Sequence, residues 1–71
     1  MVTDEQKKMI AGQMPIGYQR EIAEKGGVSR ACVSNWFTGR TKSRKVEYAV
    51  LDYYIEHKMK LEAKMKAAGL A

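Results

Sequence analysis

The chain has 71 residues, and a domain of that size buries only about 60% of the surface its unfolded chain exposes, so a single small core is expected. Thirteen Lys and Arg against eight Asp and Glu leave a net charge of +5 and a pI near 9.5; this balance favours polyanionic partners, either nucleic acid or an anionic membrane surface. One cysteine, Cys32, and one histidine, His57, exclude an internal disulfide and the paired spacing of a zinc finger or ribbon.

The N-terminus, MVTDEQKKMI, has no apolar run of signal-peptide length, and nowhere do about 18 apolar residues follow one another. A cytoplasmic chain with no membrane span is therefore expected. Valine, isoleucine and threonine do not alternate as they would in strands, and the local signals are helical throughout. The expectation is an all-α, compact domain of four to five helices covering residues 1–71.

Helix 1 is expected to begin near Asp4, because Thr3-Asp4-Glu5-Gln6 has the form of a capping box, with the Thr hydroxyl accepting from a backbone N–H and Gln reaching back. It carries Met9 and Ile10 inward and stops between Gly12 and Pro15, since proline disfavours helical geometry at Met14. Helix 2 is expected from Tyr18 to Lys25, with Arg20 either reaching a phosphate or pairing with Glu24, and Glu21 pairing with Lys25 one turn apart. Gly26-Gly27 ends it, because a sharp turn needs a left-handed residue.

Ser29 caps helix 3 by accepting from the N–H of Ala31 or Cys32, and Gly39 ends it after Thr38. From Val46 apolar residues recur at helical spacing as far as Met65, giving a C-terminal helix of about 44–66, continuous or with an unmarked break. Val46, Val50, Tyr53, Tyr54, His57, Leu61 and Met65 make one stripe, with Tyr48, Leu51, Ile55 and Met59 beside it.

Residues 19–38 thus form two short helices hinged at a glycine. Val33, Trp36 and Phe37 share one face of helix 3 and are expected to pack on Ile22, Ala23 and Val28, with Ala23 small where the helices converge. The opposite face carries Arg30, Ala31, Ser34, Asn35 and Thr38, groups of the kind that read base edges in a major groove. Arg30 suits a bidentate pair to guanine, Asn35 one to adenine, and the Ala31 methyl a thymine methyl. Arg40, Lys42, Arg44 and Lys45 follow directly, where backbone phosphates would lie. Cys32 falls between the two faces and is expected to pack as a small apolar side chain.

These residues resemble the phage-repressor and Cro family, the lambda-repressor-like, XRE-type helix-turn-helix regulators. The resemblance is carried by Gln19, Ala23, Gly27, Val28, Ser29, Val33, Ser34-Asn35-Trp36 and Gly39, within about 22 positions. It implies that Gln19 and Ser29 hold phosphates while Arg30, Ala31, Ser34 and Asn35 face bases. It also implies a homodimer on a two-fold related double-stranded DNA operator, with half-sites about one helical turn apart and the C-terminal helix as the candidate dimer contact. Phe37 departs from the acidic residue usual there, and Ser43 stands near where the family commonly has proline.

The expected function is sequence-specific transcriptional regulation, as a Cro-like or autoregulatory repressor that is nucleoid-associated when bound. A second reading keeps the fold without DNA binding and docks a protein partner on the C-terminal helix; the basic segment after Gly39 argues against it. A third lays the basic stretch Met59 to Ala68 on an anionic membrane, although its apolar content is thin. No nucleophile stands with a base, and no metal cluster or phosphate-cradling loop is visible, so no enzyme, metal or cofactor is expected.

Overall fold

The computed structural model describes residues 2–70 and contains four helices: α1 (Asp4–Gln13), α2 (Tyr18–Gly26), α3 (Arg30–Phe37) and α4 (Arg44–Ala67). Among the described residues there is no strand. The C-terminal segment is one uninterrupted helix, which resolves the choice between one helix and two.

Local chemistry sets the helix ends. The capping box is formed in full: the Gln6 N–H donates to the Thr3 hydroxyl at 3.1 Å and the Thr3 N–H to the Gln6 side chain at 2.9 Å. Ser29 accepts from the Cys32 N–H at 3.2 Å, and Ser43 caps α4 by accepting from Val46 at 3.3 Å. Helix α2 runs one residue past Lys25, and of the two glycines at its end Gly27 is the left-handed one (φ 65°). There the chain folds back so that Val28 N–H reaches the Ala23 carbonyl at 3.0 Å and Gly27 N–H that of Glu24 at 3.4 Å, the paired bonds of a Schellman closure.

The core is small and drawn from every helix: Ile10 of α1, Ile22 and Ala23 of α2, Val33 and Trp36 of α3, and Val46, Ala49 and Val50 of α4. The inward stripe of α1 is Lys7 and Ile10, with Met14 packed against the same cluster. Met9, expected inside, is 51% exposed; it lies on a different side of α1 from the pair three residues apart that faces α3.

Among the described residues Lys7 is the buried charged side chain, 9% exposed. Its ammonium donates to the Trp36 carbonyl at 2.9 Å and lies 4.5 Å from the centroid of the Trp36 ring. A cation at the carboxyl end of a helix meets the negative end of its dipole, and the indole face adds a cation–π contact.

Helices α2 and α4 approach most tightly at Gly26, where an added Cβ would stand 2.9 Å from the Ala49 Cβ. Gly26, taken from sequence as part of the turn, is helical, and its lack of a side chain serves this contact. Gly26→Ala is expected to force the helices apart and destabilise by about 1–3 kcal/mol. Gly12→Ala, in α1 with nothing within 4 Å, is expected to stabilise by up to about 1 kcal/mol. Urea unfolding of the two variants checks the contrast, and an equal response at both sites would contradict the close approach.

Polar contacts also tie α2 to α4, and they redirect one expected pair. Arg20 and Glu24 do pair, at 3.4 Å on the exposed surface. Glu21 does not meet Lys25; it accepts from the Tyr53 hydroxyl, while Lys25 pairs with Glu56 at 2.5 Å. Partners on α4 thus replace the neighbour one turn along. The Lys25 hydrogen bond and charge hold the Glu56 carboxyl below its ordinary range.

Desolvation, and then the hydrogen bond to Glu21 and its charge, push the Tyr53 phenol up to about 12. Its proton is therefore held more tightly in the folded chain than in the unfolded one, where phenols titrate near 10. The stabilisation is complete below about pH 10 and is lost as pH rises through the folded value. In alkaline titration followed by tyrosinate absorbance, a late-ionising step is expected that Tyr53→Phe removes.

Candidate nucleic-acid interface

Helix α3 is held from behind and free in front. Val33 and Trp36 are buried, and Trp36 stacks edge-on with Phe37 at 4.9 Å between centroids; Phe37 in turn meets Tyr18 of α2 edge-on at 5.5 Å. The Phe37 ring thus packs α3 against the start of α2. Together with Lys7 on the Trp36 carbonyl, these contacts fix both the rotation and the tilt of α3.

The outward face carries the residues that spacing placed there. Arg30, Ala31 and Thr38 are exposed, while Ser34 and Asn35 are half-buried. Among the described residues no ion pair engages the Arg30 guanidinium and no hydrogen bond engages the Asn35 amide. Both retain their donor capacity for an external acceptor. Thr38 differs, since its hydroxyl donates to the Asn35 carbonyl at 3.1 Å.

That same carbonyl anchors the basic segment. Gly39 is left-handed (φ 82°), which lets the Arg40 N–H reach the Asn35 carbonyl at 2.8 Å while the Gly39 N–H reaches that of Trp36 at 3.2 Å. The turn after α3 is therefore a Schellman closure that sets Arg40 just beyond the helix.

The remaining cations divide around α3. The Lys45 ammonium lies 4.0 Å from where a Gly27 Cβ would stand, beside the turn that leads into α3. Lys42 and Arg44 line a shallow hollow with Thr3, Asp4, Lys7 and Trp36, at the opposite end of α3. Arg44 also borders the groove between α1 and α4. Lys45 thus stands beside the start of α3, and Lys42 and Arg44 stand near its end on the Trp36 side, where Asp4 and Glu47 line the same hollow.

Gln19 is half-buried at the start of α2, and its amide donates to the Tyr18 hydroxyl at 3.3 Å. Ser29 is exposed, with its oxygen engaged in capping and its hydroxyl directed to the Cys32 sulfur at 3.1 Å. Cys32, expected to pack, is exposed. One position before Val33, it lies beyond the arc that Val33 and Trp36 bury.

Lys7 is the residue of this region that sequence reasoning missed. It stands in a polar run, DEQKK, like any solvated lysine, and no local signal separates it from Lys8. Among the described residues no group of three or more His, Cys, Asp or Glu is arranged to hold a metal ion. Nor, among the described residues, is any helix long and apolar enough to cross a membrane.

Comparison with protein-family models, with curated proteins and with solved structures finds no match to this chain.

Proposed function

We propose that this chain is a sequence-specific double-stranded DNA-binding regulator, a Cro-like or autoregulatory repressor that reads an operator with helix 29–38. The observation that carries the reading is the outward face of α3. The Arg30 guanidinium and the Asn35 side-chain amide stand there without partners among the described residues, on a helix locked from behind, with cations beside both of its ends. Arg30, Ala31, Ser34, Asn35 and Thr38 face base edges, and Gln19, Ser29, Arg40, Lys42, Arg44 and Lys45 meet phosphates. Two copies bind a two-fold related site and exclude polymerase by occupying it. The backbone contacts supply most of the affinity and the α3 face supplies the choice of sequence.

The test is selection from a random duplex library. A palindromic consensus with half-sites about one helical turn apart is expected, bound with an affinity that falls linearly on a logarithmic salt scale. Affinity indifferent to salt would instead favour the second reading, a protein-interaction module, which the exposed apolar side chains of α4 support.

A further inference from the structure

Helix α3 has 8 residues, and a helix that short is not held in place by its own hydrogen bonds. Its start is closed locally, where Ser29 accepts from the Cys32 N–H. Its end is closed at two carbonyls. That of Asn35 accepts from the Thr38 hydroxyl and from the Arg40 and Thr41 N–H groups, and that of Trp36 from the Gly39 N–H and the Lys7 ammonium. Among the described residues Lys7 is the one donor to these two carbonyls that comes from another helix. The others lie within residues 38–41 and move with the turn they close. Lys7 also holds Trp36 at a second point, its ammonium standing 4.5 Å from the centroid of the ring. Contacts to the backbone and to the side chain of one residue together oppose rotation of α3 about its axis.

As a stabilising device this arrangement is poor. No carboxylate pairs with the Lys7 ammonium among the described residues, and a charge taken out of water costs more than an apolar side chain of similar length in the same place. What lysine supplies and methionine does not is a donor aimed at a fixed point. We infer that Lys7 is a positioning residue for base reading: it ties the last turn of α3 to α1 and so sets Asn35 and Arg40 without itself touching DNA. The inference rests on the DNA reading proposed above. The Arg40 N–H is bonded to the Asn35 carbonyl at 2.8 Å, so a shift of the last turn carries both residues. A bidentate pair depends on the distance and angle of both its hydrogen bonds. An untied turn therefore loses discrimination first at the base read by Asn35, while Arg30, at the start capped by Ser29, keeps its own.

The test compares Lys7→Met with Lys8→Met, which removes the same charge from an exposed position of α1. For each chain, the affinity for the selected operator is divided by that for an operator changed at the base pair where Asn35→Ala relaxes selection. This ratio does not depend on the fraction of chain folded, so a loss of stability alone leaves it unmoved. Lys7→Met is expected to lower it at least about fivefold, the low end of what one bidentate pair contributes, and to lower the corresponding ratio at the Arg30 base pair less. Lys8→Met is expected to leave both ratios within about twofold of the parent. Amide hydrogen exchange gives a second measure without DNA. In Lys7→Met the Gly39 and Arg40 N–H groups are expected to exchange at least about fivefold faster than in the parent, relative to the Cys32 N–H at the start of α3. Lys7→Gln, read in the same two ways, serves if Lys7→Met does not fold. The parent's ratio at the Asn35 base pair in Lys7→Met, an equal loss in Lys8→Met, or unchanged exchange at Gly39 and Arg40 would each overturn the inference. A parent that selects no sequence removes the DNA reading instead, and the exchange measurement then decides by itself whether Lys7 holds the turn.

Discussion

Trp36→Ala is expected to cost about 3–5 kcal/mol of folding stability, the range for deleting a buried large aromatic side chain. Trp36 is 2% exposed, and its ring is where three supports of α3 converge: the Lys7 ammonium, the Phe37 ring and the buried cluster shared with Val33. Small domains commonly hold only about 5–15 kcal/mol in total, so the variant should be largely unfolded at modest urea concentration. Lys7 aggravates the loss, because its ammonium remains buried beside the cavity with the backbone carbonyl as its surviving partner. Lys7→Met keeps the aliphatic stem and removes the charge, and it is expected to cost far less than Trp36→Ala. Urea titrations of both variants by circular dichroism give the comparison, and a Trp36→Ala variant within about 1 kcal/mol of the parent would show that the ring is not the keystone of this core.

The second large effect is on DNA. Against the operator selected for the parent, Arg30→Ala and Asn35→Ala are each expected to lose about 1–3 kcal/mol of discrimination, with sequence preference relaxing at one position of each half-site. Arg40→Ala and Lys45→Ala should behave differently. They are expected to weaken binding to all sequences about equally and to reduce the salt slope by about one for each phosphate contact removed. Competition titrations at two salt concentrations separate these behaviours. If Arg30→Ala and Asn35→Ala bound every sequence as the parent does, reading by α3 would be wrong, and the cations beside it would serve only nonspecific attachment.

The all-α architecture, the ends of α1 and α3 and the inward face of α3 were legible in the sequence. Each rests on interactions within four residues: Thr3 with Gln6, Ser29 with Cys32, and Val33 with Trp36 on one helical side. Exposure of Arg30, Ala31 and Thr38 followed from the same spacing, since burying Val33 and Trp36 turns the opposite side outward. The errors arose where a residue's surroundings come from another helix. Met9 turned outward and Lys7 lies buried because the rotation of α1 against α3 decides which side is covered. Glu21 and Lys25 took partners on α4 instead of each other, and Cys32 fell on the open side of its helix.

By itself, then, the sequence determined four helices or five, a glycine-hinged pair at residues 19–38 and a polar outward face on the second of that pair. These follow from backbone and capping preferences that act over one helical turn and are insensitive to the rest of the chain. Tertiary structure alone decided that α4 is unbroken, that Gly26 is small to admit Ala49, that Lys7 lies buried on Trp36, and that half of α4 extends beyond the core. Those features depend on the rotation and register of packed helices, which are set by the joint filling of one small core and are encoded in no single local segment.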